Sequence, residues 1–150
     1  MISTIPNDTP LLELPIVSLD LETTGLDVRN ERIVQIAVVV VNVRDNDMTT
    51  AFDSLIAPGI PIPINSTGIH GISDSDVADA PCFIDINEDL HDAIGNSVII
   101  GHHIGFDLAV LHHESVRAGL SWQAPPSLDL ALLAVALEPG LPDPRARQRR

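Results

Sequence analysis

Along residues 16–22 apolar and polar positions alternate, with Val17, Leu19 and Leu21 on one side of an extended chain and Ser18, Asp20 and Glu22 on the other. A period of two predicts a half-buried β-strand, and Gly25 ends it. After a polar turn at residues 28–31, a β-branched stretch over residues 33–43, interrupted only by Gln35, Ala37 and Asn42, predicts a second strand buried on both faces. Residues 44–47 form a turn cluster, and residues 49–57 alternate enough to predict a third strand. Connections this short join neighbours, so the three strands are expected as an antiparallel meander.

Three prolines within residues 58–63 exclude regular structure there. From Phe83 the period changes: Phe83, Ile86, Leu90 and Ile94 recur at helical spacing, and Gly95 supplies a stop. Residues 97–101 predict a short strand and residues 106–118 a second helix closed by Gly119. Beyond Pro125 and Pro126, residues 128–137 are almost wholly apolar and predict a buried helix, with room for a short strand at its start. Strands first and helices alternating with strands afterwards imply an α/β fold, a mixed sheet with flanking helices. The expected organisation is an N-terminal extension over residues 1–14, one domain over 15–138 and a disordered Pro- and Arg-rich tail over 139–150.

A chain of 150 residues with 45% hydrophobic content supports one core, and no internal repeat is present. Charge adds an exclusion. The formal net charge is −13, all eight basic residues are arginine, and residues 1–140 carry four arginines against twenty acids, a net of −16. Such a body repels a polyanion at long range, which argues against gripping a duplex through many phosphates and leaves a nucleic acid to be held locally, through metal. Cys82 is the single cysteine, so no intrachain disulfide forms and a reducing compartment is expected. Residues 1–15 lack a signal-peptide pattern and no apolar run reaches the ~18 residues of a membrane span, so the expected location is cytoplasmic, without a membrane partner.

Chemistry concentrates at Asp20 and Glu22. Carboxylates two apart on a strand share a face and repel, an arrangement a divalent cation relieves. Asp107, in the first turn of the second helix, follows a strand end and is placed to converge on the same ion. Three carboxylates and water suit Mg²⁺ or Mn²⁺ better than zinc. Simpler readings stand beside these: a solvated strand face for Asp20 and Glu22, a favourable dipole contact for Asp107, and a helix cap for Asp129. His102 and His103 lack a third soft ligand at zinc spacing, and His112 and His113 sit within a helix.

The string Asp20-Leu21-Glu22-Thr23-Thr24-Gly25-Leu26 resembles the first motif of the DEDD exonuclease superfamily, a ribonuclease-H-like group that includes the proofreading epsilon subunit of bacterial DNA polymerase III. Gly101-His102-His103-Ile104-Gly105-Phe106-Asp107-Leu108 is similar to its second motif, with His103 where asparagine is usual. Residues 31–37 and 69–72 match in look and order, and the likeness runs from about Pro15 to Leu137. The resemblance implies hydrolysis of phosphodiester bonds at the 3′ ends of single-stranded DNA or RNA by two metal ions, Mg²⁺ or Mn²⁺, with a polymerase or further domains as candidate partners. It implies that Asp20 bridges both ions, Glu22 holds the nucleophile-side ion and Asp107 stands beside the other. Thr23, Thr24 and Gly25 would contact the terminal nucleotide, Ile69 and His70 the last bases, and His103 and Phe106 would also bind substrate. The family's third motif, a fourth carboxylate preceded in one subgroup by a histidine, has no counterpart: no histidine follows His113, and the acids after Asp129 are Glu138 and Asp143. The expectation is therefore a C-terminally truncated fold, either part of a longer protein or a catalytically impaired relative that still binds nucleotide.

Overall fold

The structure is a computed structural model and describes residues 9–138. The Pro- and Arg-rich tail at 139–150, with Asp143, lies outside the described residues, as do residues 1–8. After a 3-10 turn at Leu11–Glu13, strand β1 (Ile16–Thr23) buries Val17, Leu19, Leu21 and Thr23 and leaves Asp20 exposed on the other face. It pairs antiparallel with β2 (Ile33–Asn42), which pairs antiparallel with β3 (Asp47–Leu55), so the expected meander forms. Helix α1 (Ile64–His70) and helix α2 (Phe83–Ile94) follow, then β4 (Val98–Gly101), α3 (Gly105–Arg117), β5 (Ser127–Asp129) and α4 (Leu130–Leu137). The five strands make one mixed sheet in the order β3-β2-β1-β4-β5, in which β4 runs parallel to β1 and β5 parallel to β4.

The apolar stripe read from α2 is the one buried: Phe83, Ile86, Leu90 and Ile94 pack with Val17, Leu19, Ile36 and Val38 of the sheet and Val110 and Leu111 of α3. Asp85 accepts from the backbone N–H of Cys82 at 3.1 Å and so caps the start of α2. Each fully buried leucine of this kind contributes about 1.5–3 kcal/mol through apolar surface removed from water.

Three expectations change. Strand β2 is buried on both faces only at Ile33 and Val34; farther along, Ile36 and Val38 stay buried because their face packs on α2 and α3, while the intervening residues are only half-buried. A register shift between Glu22 and Thr23 sets Gln35 and Ile33 opposite consecutive residues of β1, and Val34 joins a separate small cluster with Ile62, Ile72 and Val77. Helix α1 has no forecast in the pattern: it buries none of its residues, so it carries no apolar stripe to read. Helix α4, expected buried, hides only Ala131 and exposes Leu130, Leu132 and Leu137, since it packs along the short β4 and β5 and nothing described lies over its outer face.

The sheet's geometry sets up one end of β1. Strand β4 pairs with β1 only from Ile16 to Ser18, so β1 beyond that point has no strand on this side. The chain leaving β4 passes through Gly101, where a Cβ would stand 2.8 Å from Ile104 Cδ1 and 3.1 Å from the Leu19 carbonyl, so a larger residue would force Ile104 and the β1 backbone to shift. The chain then turns into α3, beside the unpaired stretch of β1.

Candidate functional site

Where β4 ends, a side chain replaces its backbone. The N–H of Leu21 donates to Asp107 Oδ1 at 3.1 Å, so the carboxylate of α3 satisfies a donor that a longer β4 would have taken. This bond holds Asp107 beside Asp20 and Glu22. Asp107 is only 6% exposed, and burial chiefly, with the nearby Asp20 and Glu22 charges adding, pushes its carboxyl up from 3.8 to about 7. Asp20 and Asp107 line one cleft, with no arginine among its lining residues, and Glu22 lies close enough for its charge to act on Asp107.

That cleft is open, about 880 Å³, and is lined by Asp20, Leu21, Leu26, His102, His103, Gly105, Phe106, Asp107 and Asp129. The carboxylates of the lining are oxygen donors, which by chemistry fit a hard divalent cation. Among the described residues, however, no three His, Cys, Asp or Glu side chains stand in an ion-holding arrangement as they are. Asp129 accepts from the backbone N–H groups of Ala131 at 2.9 Å and His103 at 3.2 Å, so it caps α4 and also fixes the turn before α3. His103 sits at φ +56°, in the left-handed region, with its ring 4.3 Å from that of His102.

Of the other expected positions, His103 and Phe106 line this cleft, whereas Thr23, Thr24, Gly25, Ile69 and His70 are not among its lining residues. Thr23 and Thr24 are buried, at 9% and 1% exposure, and their hydroxyls point inward: Thr23 Oγ1 donates to the Gly25 carbonyl at 2.6 Å, and Thr24 Oγ1 donates to Glu31 Oε2 at 2.6 Å. The backbone of this turn, not these hydroxyls, is left to face a ligand. Gly25 covers the Glu31 carboxylate so closely that a Cβ would lie 2.7 Å from Oε1. Ser66 of α1 donates to the Thr24 carbonyl at 2.6 Å, which brings α1 against the turn. Ile69 projects into solvent, whereas His70 Nδ1 accepts from the N–H of Ile72 at 3.1 Å, which leaves the proton on Nε2, shielded and without a partner among the described groups.

Two features escape a reading of the motifs. Leu26 is 86% exposed and lines the cleft beside Asp20; an apolar residue directly after a turn glycine is the one signal in the chain that marks it. Glu114 is 2% exposed and receives Arg32 Nε at 2.7 Å, Arg32 Nη2 at 3.2 Å and Arg117 Nη2 at 3.2 Å. Burial alone would raise its carboxyl, yet the hydrogen bonds from Arg32 and Arg117 bring it below its ordinary value.

A family model described as an exonuclease, RNase T, matches residues 17–148. A DNA polymerase III subunit epsilon-like protein of Rhodobacter capsulatus is 38% identical over 132 residues, which cover 87% of this chain and 18% of the relative. A PolC-type DNA polymerase III of Oceanobacillus iheyensis is 30% identical over 134 residues, 89% of this chain and 9% of the relative. The chain thus spans less than a fifth of the length of these curated relatives. Among solved structures, Exonuclease X in complex with 5′ overhanging duplex DNA aligns with a TM-score of 0.67 and 26% identity, covering 89% of this chain and 73% of that one. Exonuclease I of E. coli with a dA16 oligonucleotide has a TM-score of 0.71 at 18% identity over 85% of this chain and 31% of that one, a likeness of fold.

Proposed function

This chain belongs to the RNase T family of exonucleases, of the DEDD superfamily, and on that premise we propose that it hydrolyses phosphodiester bonds at the 3′ ends of single-stranded DNA. The observation that supports this best is the bond from the Leu21 N–H to Asp107, which holds Asp107 beside Asp20 in the lining of an open cleft and near the charge of Glu22, with the Asp107 carboxyl pushed up to about 7. Exonucleases of this family use divalent metals, and Mg²⁺ or Mn²⁺ at two positions held by Asp20, Glu22 and Asp107 is the form proposed here. When bound, such ions activate the attacking water and stabilise the leaving 3′-oxygen. Asp20, exposed on β1, and Asp107, oriented by the N–H of Leu21, would be the residues that hold such ions, with Glu22 beside them.

Leu26, 86% exposed, lines the cleft together with Phe106 and His103 and would offer apolar surface to an unstacked terminal base; Ile69, equally exposed, is proposed to add to it. The acidic body adds selectivity by disfavouring long duplex contacts, so short, frayed or single-stranded ends are the proposed substrate. A polymerase is the proposed partner, by likeness to the DNA polymerase III relatives, and a reducing cytoplasm the proposed location. A second reading, binding of nucleotide with little turnover, is favoured by the lack of an ion-holding set of three side chains among the described residues.

One experiment separates the two. The protein with Mn²⁺ is incubated with a 5′-labelled single-stranded oligonucleotide, in DNA and RNA versions, and products are resolved by length. A ladder shortened from the 3′ end that Asp20→Ala abolishes supports hydrolysis; retention of the oligonucleotide without shortening supports the binding reading. A ladder unaffected by Asp20→Ala refutes the assigned site.

A further inference from the structure

Four arginines lie among the described residues, and two of them, Arg32 and Arg117, close on one buried carboxylate, that of Glu114. A buried ion cluster is seldom more stable than well-packed apolar residues of the same volume, so its contribution is best sought in what it fixes. Glu114 also accepts from the backbone N–H of Ile33 at 3.3 Å, while Arg117 donates to the carbonyls of Arg29 at 2.8 Å and Glu31 at 2.9 Å. The cluster therefore fastens α3 to the segment that joins β1 to β2.

Helix α3 is attached to β1 at one other polar point, the Leu21 N–H to Asp107 bond. Glu114 follows Asp107 by seven residues, two turns, so the second attachment lies about 10 Å farther along the same side of the helix. Val110 and Leu111 already seat the helix on the core, and the two polar attachments add fixed points at either end of that contact. The second point reaches the substrate side as well, because Arg32 N donates to Thr24 Oγ1 at 2.9 Å and Thr24 N donates to the Arg32 carbonyl at 2.9 Å.

We propose that Glu114 is a positioning residue: by gripping Arg32 it restrains the placement of α3, and with it that of Asp107 relative to Asp20 and Glu22, which limits the rearrangement the acids need in order to bind divalent metal. The inference rests on the metal-site reading above. It predicts that loosening the grip weakens metal binding beyond any loss of fold stability, in the way that groups which orient ligating side chains govern metal affinity.

The test uses the full chain, with Mn²⁺ affinity measured by calorimetry and melting followed in EDTA and in Mn²⁺. Glu114→Gln keeps the shape but loses the charge, and is expected to weaken Mn²⁺ binding about 3- to 10-fold and to shrink the Mn²⁺-induced rise in Tm. Leu90→Ala, a core change far in sequence from the acids, is the comparator: it lowers Tm while leaving Mn²⁺ affinity as in the wild type. Arg32→Lys, which keeps the positive charge beside Glu114 but not the two-pronged grip, is expected to weaken Mn²⁺ binding to a lesser degree and carries the test if Glu114→Gln does not fold. Wild-type affinity in the folded variants overturns the proposal and leaves Glu114 a stability element. No Mn²⁺-induced rise in the wild type itself overturns the metal-site reading, and this proposal with it.

Discussion

Asp107→Asn is expected to make the metal-free protein more stable, although it removes a residue assigned to the active site. The folded Asp107 carboxyl is pushed up to about 7 from 3.8, the value that applies to the unfolded chain. Between those two pH values the folded state holds a proton that the unfolded state has lost, so stability falls as pH rises through the window, and above about 7 the full cost is present. Three pKa units correspond to about 4 kcal/mol, and residual solvent screening brings the expected penalty to roughly 2–4 kcal/mol at pH 8. Asparagine keeps an oxygen to accept from the Leu21 N–H and carries no charge to repel Asp20 and Glu22. In EDTA at pH 8 the variant should therefore melt roughly 5–15 °C above wild type, for a chain of this size, and the gap should narrow to less than half by pH 5. Excess Mn²⁺ should close or reverse it, because metal stabilises only the protein that binds it. The measurement is thermal melting of both proteins from pH 5 to 8, with and without metal. A variant no more stable than wild type at pH 8, or a gap that does not change with pH, would refute the argument that Asp107 carries an unrelieved charge.

Two further outcomes follow from the same geometry. Asp129→Ala removes the acceptor shared by Ala131 N and His103 N and should cost about 1–2 kcal/mol, seen as a lower Tm; an unchanged Tm would mean that the turn is held by packing alone. Leu26→Ala and Ile69→Ala, both at highly exposed positions, should leave Tm within about 2 °C of wild type while raising KM for a single-stranded oligonucleotide roughly fivefold or more, and unaltered KM in both would remove the base contacts assigned to them.

Much of the fold is legible because single elements write their own periods. The stripe Phe83, Ile86, Leu90, Ile94 states both a helix and its buried face, and Val17, Leu19 and Leu21 do the same for β1. Helix α1 is not legible, since a helix that buries none of its residues has no stripe. Helix α4 misleads for the opposite reason: its composition is that of a buried helix, but exposure depends on what other elements cover it. At the site, spacing puts Asp20 and Glu22 on one face of a strand, and the motif around Asp107 marks that residue. The inward turn of the Thr24 hydroxyl depends on Glu31 and Arg32 and cannot be read from the motif that contains it.

The local sequence by itself determined which residues alternate on β1 and where α2 begins and ends, because periods of two and 3.6 and turn residues act over a few neighbours, while the grouping of Asp107 with Asp20 and Glu22 came from the resemblance of their motifs to a family. Only the tertiary structure decided that β4 stops short beside β1, so that the Leu21 N–H meets Asp107 instead of a strand, and that Glu114 closes on Arg32, eighty-two residues away. The physical reason is that a hydrogen bond or an ion pair between distant residues leaves no period in the chain; it exists only where the sheet order and the helix packing bring its two partners together.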